Sequence, residues 1–159
     1  MGALLAKENI WYVGTQDPNL RVFDIIMHSD WGTSYNAYLV KGSEKTALFE
    51  TSKLEFFDEF LANVREVCDP ASIDYIVVDH TEPDHSGSLE KLLALAPNAT
   101  VLGSATALNF LKQIVNHEFA CRAVTEKDTV DLGSMTLHFL SVPFLHWPDT
   151  VSYTHLTLP

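Results

Sequence analysis

The sequence predicts an α/β domain in which helices cover a mostly buried β-sheet. Short β-type segments dominate the first fifty residues, and segments of helix and strand character alternate from residue 53 onward. The size of the chain agrees with this prediction, because 159 residues with 47% hydrophobic residues suffice for one packed core. We therefore expect one globular domain, or part of one.

The N-terminal β-type segments are separated by turn sequences rich in Gly, Asp, Asn and Ser. The segments are NIWYVG (9–14), NLRVFDIIM (19–27), SYNAYLVKG (34–42) and KTALFE (45–50). An amphipathic helix is predicted next, over residues 53–68, because Leu54, Phe57, Leu61 and Val64 recur at intervals of three and four. Pro70 ends this helix.

The rest of the chain alternates strands and helices. Residues 73–78 are nearly all apolar, which is typical of a strand that is covered on both faces. We then expect a helix over 89–95, a strand over 100–103, a helix over 105–115, a strand over 121–124 and a hairpin over 128–142 that turns near Gly133 and Ser134.

Charge and composition exclude several classes of protein. The net charge of −11, from 21 acidic and 10 basic residues, would repel a nucleic acid backbone. No apolar run approaches the roughly 18 residues that span a bilayer, and the N-terminus does not resemble a secretory signal. The two cysteines, Cys68 and Cys121, lack the spacing of a thiolate zinc site. We expect a cytoplasmic protein that binds neither nucleic acid nor membranes.

The most informative stretch is VVDHTEPDHSGSL, residues 77–89, in which His80, Glu82, Asp84 and His85 directly follow the buried strand. If the loop stays extended, the first three side chains line one side and His85 turns toward a second ion. Each residue alone is better explained as part of a polar loop that caps the next helix, with Asp84, Ser86 or Ser88 as N-cap. The four together favour a dinuclear metal site, because a metal offsets their desolvation and mutual repulsion.

The motif HTEPDH resembles the HxExDH variant of the metallo-β-lactamase motif that marks the diiron domain of flavodiiron proteins, the A-type flavoproteins. The resemblance extends over nearly the whole chain, through GTSYNAYLV (32–40), NFLKQIV (109–115), DTVDLGSMTLHF (128–139) and PFLHWPDT (143–150). It implies a metallo-β-lactamase-like αββα sandwich, an α/β (α+β) fold that would be incomplete at the C-terminus. It also implies that His146 is the next metal ligand.

The resemblance assigns the ligands to two irons. His80, Glu82 and His146 would hold one iron, while Asp84 and His85 contribute to the other, although His85 does not coordinate in every member of the family. The residue types agree with iron, because a carboxylate at Glu82 makes the site harder and more anionic than the HxHxDH motif of zinc hydrolases. No catalytic residue beyond these ligands and no further cofactor-binding residue is predicted.

The implied activity is that of an oxidoreductase which reduces nitric oxide to nitrous oxide, or dioxygen to water. Electrons would pass from rubredoxin or a similar carrier through FMN to the diiron centre of a full-length parent, a homodimer or homotetramer. A zinc-dependent hydrolase of the same fold is the alternative, and Glu82 argues against it.

Several parts of the family pattern lie outside the 159 residues. The resemblance implies a bridging aspartate, a final histidine and a flavodoxin-like domain that binds FMN, all after residue 150. The segment VSYTHLTLP (151–159) departs from the pattern and resembles the translated sequencing-adapter tails of fragmentary gene models. We therefore expect that residues 1–150 are the N-terminal part of the diiron domain, that residues 151–159 are a candidate artefact, and that the fragment alone is inactive.

Four aromatic residues could wall a small pocket, and core packing is the better expectation for Tyr35 and Tyr38. Trp147 is expected to line a small pocket beside the metals, whereas core packing is the better expectation for Trp31.

Overall fold

The computed structural model describes residues 2–23, 25–144 and 147–157, and for residues 151–157 it describes the backbone alone. In this part of the chain, the strands are β1 (Leu4–Lys7), β2 (Ile10–Tyr12), β3 (Thr15–Asp17), β4 (Val22–Phe23), β5 (Met27–His28), β6 (Thr33–Tyr35), β7 (Tyr38–Lys41), β8 (Thr46–Phe49), β9 (Tyr75–Val77), β10 (Thr100–Gly103), β11 (Cys121–Ala123), β12 (Thr129–Asp131), β13 (Thr136–Ser141) and β14 (Val151–Thr157). The helices are α1 (Phe57–Val67), α2 (Pro83–Ser86), α3 (Leu89–Leu93) and α4 (Ala105–Ile114), with 3₁₀ turns at Leu54–Phe56 and Pro70–Ser72.

Seven strands form the main sheet in the order β1-β2-β7-β8-β9-β10-β11. The pairs from β1 to β8 are antiparallel, and those from β8 to β11 are parallel. Strands β12, β13 and β14 form a second, antiparallel sheet, while β3–β6 and β4–β5 are separate two-stranded ribbons. The parallel half of the main sheet is the part that positions the candidate site, because the carboxyl ends of its strands meet at one edge.

Side chains of the main sheet alternate between two apolar layers, as the period of a strand requires. In β8, Leu48 belongs to the core that packs against α1, α3 and α4, whereas Ala47 and Phe49 belong to the core shared with the second sheet. The same alternation places Val101 in the first core and Leu102 in the second. The layers are therefore helix, sheet and sheet, which confirms the expected α/β fold of the sandwich type.

Most predicted elements are found with small shifts at their ends, but the segment over 19–27 is divided into β4 and β5, which pair antiparallel, and the segment over 34–42 contributes to β6 and β7 in different sheets. The expected helix over 53–68 begins as the 3₁₀ turn at Leu54–Phe56 and continues as α1, and Cys68 is extended at its C-terminus. The strand over 100–103 and the helix starting at residue 105 are as expected, with Ser104 accepting a hydrogen bond from the Ala107 N–H as N-cap. The hairpin turns at Gly133, whose φ of 93° suits a glycine.

The last described strand, β14, pairs antiparallel with β13 through the backbone. The assignment of residues 151–159 to a sequencing artefact therefore stays a prediction, and residues 158 and 159 lie outside the described part. None of the described helices has the length and apolar character needed to cross a membrane.

Candidate metal centre

The ligand loop, residues 78–88, leaves the carboxyl end of β9 and contains a short helix. Pro83 occupies the first position of α2, and Glu82 is its extended N-cap residue, whose carbonyl accepts hydrogen bonds from the His85 and Ser86 N–H groups at 2.9 Å each. The condition of an extended loop is therefore not met over its whole length. Asp84 and His85 lie on a helical turn, while His80 and Glu82 lie on the extended part that precedes it.

His80 and Glu82 form the first pair of candidate ligands. The His80 Nε2 atom lies 3.1 Å from Glu82 Oε2, and His80 is only 5% exposed. Two ligand atoms bound at about 2.1 Å to one ion, at angles of about 90° to 110°, lie about 3.0 to 3.4 Å apart. The spacing of this pair therefore fits two ligands of the same metal ion.

Asp84 and His85 form a second pair beside the first. The His85 Nε2 atom lies 3.6 Å from Asp84 Oδ2, slightly beyond the separation of two ligands on one ion. The rings of His80 and His85 have centroids 5.1 Å apart, so the two pairs are neighbours. The structure thus places the four residues that the sequence predicts as ligands in two neighbouring pairs.

A buried carboxylate faces the opposite ring nitrogen of His80. Both carboxylate oxygens of Asp149 lie 3.3 Å from His80 Nδ1, and Asp149 is fully buried. The Thr81 N–H and hydroxyl donate to Asp149 Oδ2 at 2.8 and 2.7 Å. Burial alone would raise the pKa of the Asp149 carboxyl, but the hydrogen bonds from Thr81 hold that pKa below its usual range. Asp149 is therefore an anion beside His80.

A second buried carboxylate, that of Glu50, holds His85. Glu50 follows β8 directly, with a left-handed φ of 62°, and its Oε2 lies 2.6 Å from His85 Nδ1. Its Oε1 accepts a hydrogen bond from the Asp79 N–H. Burial raises the pKa of Glu50, and the Glu50 carboxylate raises the pKa of His85 against the opposing effect of burial. His85 is therefore held at Nδ1 by a buried acid.

Asp79 adds a third buried acid next to this pair. Burial and the nearby Glu50 carboxylate raise the pKa of Asp79 well above its usual range. In the described part of the chain, its Oδ1 has no hydrogen-bond partner. Asp79 is therefore a buried acid at the base of the ligand loop whose ionised form is disfavoured.

The donor set fits a metal ion. A metal-bound histidine normally binds through one ring nitrogen and donates from the other to a carboxylate, and His80 and His85 both have a carboxylate at Nδ1 and an oxygen donor near Nε2. Within the described residues no group of three or more His, Cys, Asp or Glu side chains is gathered around one point. The fifth predicted ligand, His146, lies outside the described residues, so its position stays a prediction.

The surroundings of the site differ in part from expectation. The ring of Trp147 lies 5.8 Å from that of His80, which agrees with a wall of the site. Trp31 is 91% exposed, so the expectation that it packs in the core is wrong. A cavity of about 170 Å³ lies against Glu82 and Asp84, and Val22, Phe23 and Lys53 contribute to its other walls. It offers space for a small molecule beside two candidate ligands.

Sequence reasoning reaches Glu50 only in part and misses Asp149. Glu50 stands where the resemblance implies an aspartate, which indicates a changed hydrogen bond near the site, but the sequence does not show that its partner is His85. Asp149 lies in the matching segment PFLHWPDT, three residues after His146, and was not singled out. The available signal was that Asp149 is the one acidic residue in this segment and lies only three positions after the predicted ligand His146.

Comparisons with known proteins agree with the fold. Residues 33–156 match the family described as ODP family beta lactamase. The flavo-diiron protein FprA2 of Clostridium acetobutylicum is 49% identical over 153 residues, which are 95% of this chain and 38% of that protein. The chain thus spans less than half the length of this relative.

Solved structures of flavodiiron proteins have the same fold. The flavodiiron protein of Giardia intestinalis superposes with a TM-score of 0.90 at 30% identity, over 96% of this chain and 37% of that one. Rubredoxin oxygen:oxidoreductase from Desulfovibrio gigas superposes with a TM-score of 0.89 at 34% identity, over 95% and 38% respectively. The chain therefore belongs to the ODP beta-lactamase family, and within it to the metallo-β-lactamase-like domain of the flavodiiron proteins.

Proposed function

We propose that this chain supplies the diiron-binding part of an oxidoreductase that reduces nitric oxide to nitrous oxide, dioxygen to water, or both. The observation that carries the proposal is the His80 ring, which lies between two carboxylates, Asp149 at Nδ1 and Glu82 at Nε2. A neutral imidazole can donate to only one of them. When its hydrogen faces Asp149, the lone pair of Nε2 faces the Glu82 carboxylate, and a shared cation stabilises that arrangement.

The chain would hold two irons with five side chains. His80, Glu82 and His146 are proposed for one iron, and Asp84 and His85 for the other. When bound, the irons supply electrons to a small gas molecule. The protein's own contribution is to place nitrogen and oxygen donors side by side, to keep Nδ1 of both imidazoles occupied, and to shield His80 with the indole of Trp147.

The mixed donor set favours iron over zinc. A carboxylate oxygen lies next to an imidazole nitrogen in both pairs, and oxygen donors suit a metal that cycles between ferrous and ferric states. A zinc-dependent hydrolase of the same fold would be expected to carry histidine in place of Glu82. The wall of the cavity beside Glu82 and Asp84 is apolar at Val22 and Phe23, which suits a small uncharged gas.

The relatives suggest the route of the electrons. The relative from Desulfovibrio gigas is named rubredoxin oxygen:oxidoreductase. We infer by similarity that rubredoxin or a similar carrier reduces an FMN on a flavodoxin-like domain outside this chain, in a cytoplasmic homodimer or homotetramer. Residues 1–150 would then be the N-terminal part of the diiron domain. On this proposal, the 159 residues alone do not reduce either gas.

The metal content of the intact protein tests the proposal. After expression with iron and zinc available, we expect about two irons per chain by elemental analysis. Replacing Glu82 with His should shift the bound metal from iron toward zinc, because it restores the donor set of the zinc hydrolases. Glu126→His is the matched control, since Glu126 is an exposed carboxylate outside the ligand loop. Stoichiometric zinc in the unaltered protein, together with hydrolase activity, would overturn the proposal.

His146 can be tested in the same way. His146→Ala should lower the iron content and abolish gas reduction, while FMN stays bound because the flavin is proposed to lie on another domain. His138→Ala is the control, because His138 is an exposed histidine on β13. Full iron content and normal activity in His146→Ala would remove this residue from the site.

A further inference from the structure

We propose that Asp149 is a positioning residue, which orients His80 toward the metal and joins the segment after Trp147 to the ligand loop. This inference rests on the proposed function, because it takes His80 as a metal ligand. Asp149 itself is not proposed to touch the metal or the substrate. Its role would be exerted through the Nδ1 atom of the His80 ring.

The side chain of Asp149 makes all its described contacts with two consecutive residues of the ligand loop. Its oxygens lie 3.3 Å from His80 Nδ1, and Oδ2 accepts from the Thr81 N–H at 2.8 Å and from the Thr81 hydroxyl at 2.7 Å. A carboxylate only accepts hydrogen bonds, so the ring nitrogen that faces it must carry the hydrogen. The lone pair of His80 is thereby placed on Nε2, next to Glu82.

The backbone of Asp149 is anchored separately. The Ser104 hydroxyl donates to the Asp149 carbonyl at 2.8 Å. The same Ser104 oxygen accepts from the Ala107 N–H at 2.9 Å and caps α4, at the carboxyl end of β10. Asp149 is thus fixed at the edge of the sheet from which the ligand loop also leaves. Its carboxylate therefore has a defined position relative to His80.

Asp128, elsewhere in the chain, shows how Asp149 differs from an aspartate in an ordinary turn. Asp128 also accepts from the N–H and the hydroxyl of one threonine, Thr125, at 2.8 and 2.6 Å. Asp128 is exposed, whereas Asp149 is fully buried. An aspartate can therefore accept both hydrogen bonds from a threonine while it is exposed, so these bonds do not explain why Asp149 is buried. The contact with His80 is the feature that distinguishes Asp149, and it gives a reason for burying a charge at this place.

The experiment uses Asp149→Asn and Asp128→Asn as matched variants of the intact protein. The first measurement is the dissociation constant for ferrous iron, titrated without oxygen. We expect Asp149→Asn to weaken iron binding about 10- to 100-fold, as is usual when a hydrogen-bond partner of a ligand histidine is lost. Asp128→Asn should leave the constant unchanged. Equal constants for the two variants would overturn the inference.

The decisive result of the second measurement comes from the unaltered protein, so it does not depend on the folding of a variant. Nitrogen-15 NMR of the metal-free protein, at a pH well above the ordinary pKa of histidine, reports which ring nitrogen of His80 carries the hydrogen. We expect it on Nδ1, and on Nε2 in Asp149→Asn. A hydrogen on Nε2 in the unaltered protein would refute the inference, whatever the iron titration shows.

The two hypotheses can fail separately. If His80→Ala binds ferrous iron as tightly as the unaltered protein, the proposed metal site is wrong, and so is the inference that depends on it. If His80→Ala loses iron but Asp149→Asn does not, the metal site stands and the positioning role of Asp149 is wrong. Thermal melting of the metal-free variants shows whether a loss of iron reflects a loss of fold.

Discussion

Replacing Glu50 with Gln should weaken metal binding through His85. The Gln side chain keeps an oxygen for the Asp79 N–H, so its NH₂ group must face His85 Nδ1, where the Glu50 carboxylate lies at 2.6 Å. The ring then accepts at Nδ1 and carries its hydrogen on Nε2, the nitrogen proposed to bind metal. A metal that binds at Nε2 needs the lone pair of that nitrogen, so the ring hydrogen must move to Nδ1. The hydrogen bond that Nδ1 accepts from the Gln is then lost, which costs about 1–3 kcal/mol, or about 5- to 150-fold in affinity.

The assay is a ferrous iron titration of the intact protein in four forms: unaltered, Glu50→Gln, His85→Ala and the double variant. If Glu50 acts through His85, Glu50→Gln weakens binding in the presence of His85 and has no further effect once His85 is Ala. An equal loss in both backgrounds would refute this reasoning. Glu50→Ala adds a control for folding, because it leaves the Asp79 N–H without its acceptor and should cost about 1–3 kcal/mol of stability.

Two further predictions concern the fold. Gly42→Ala should destabilise the protein by about 1–3 kcal/mol in chemical denaturation, because an added Cβ would lie 2.0 Å from the Leu132 carbonyl oxygen. Gly2→Ala is the control and should be neutral, because its Cβ would meet only the flexible end of the Glu66 side chain. Burial raises the pKa of the half-buried Cys68, so its thiolate should form at a higher pH than that of a free cysteine. Iodoacetamide labelling of a Cys121→Ser variant across pH tests this, and a labelling midpoint at or below the value of a free thiol would contradict it.

The parts of the fold that could be predicted are those whose causes lie within a few residues. The strand over 100–103 begins three residues after Pro97 and ends before Ser104, which caps the next helix. Both of its ends are therefore marked in the sequence. The helical turn in the ligand loop was also marked, by Pro83 after an extended Glu82. The alternate spacing of His80, Glu82 and Asp84 indicates one shared side only if the loop stays extended, and Pro83 is the local signal against that condition.

The carboxylates of the site could not be predicted in this way. Glu50 precedes His85 by 35 residues, and Asp149 follows His80 by 69. A local pattern shows that a carboxylate is present, but not which imidazole it faces, because that depends on the order of the strands in the sheet. The four candidate ligands in the loop were accessible to sequence reasoning because they all follow the end of one strand.

On the proposed function, the distance along the chain between the imidazoles and their carboxylates would link iron binding to folding. An unfolded chain keeps the HTEPDH sequence but loses the supports at Glu50 and Asp149, so it should bind the metal far more weakly than the folded protein. A ligand that binds only the folded state adds about 2.7 kcal/mol of stability when its concentration is about a hundred times its dissociation constant. Iron supply would then control how often the chain opens to proteases, and a cell short of iron would lose this protein by degradation as well as by inactivity.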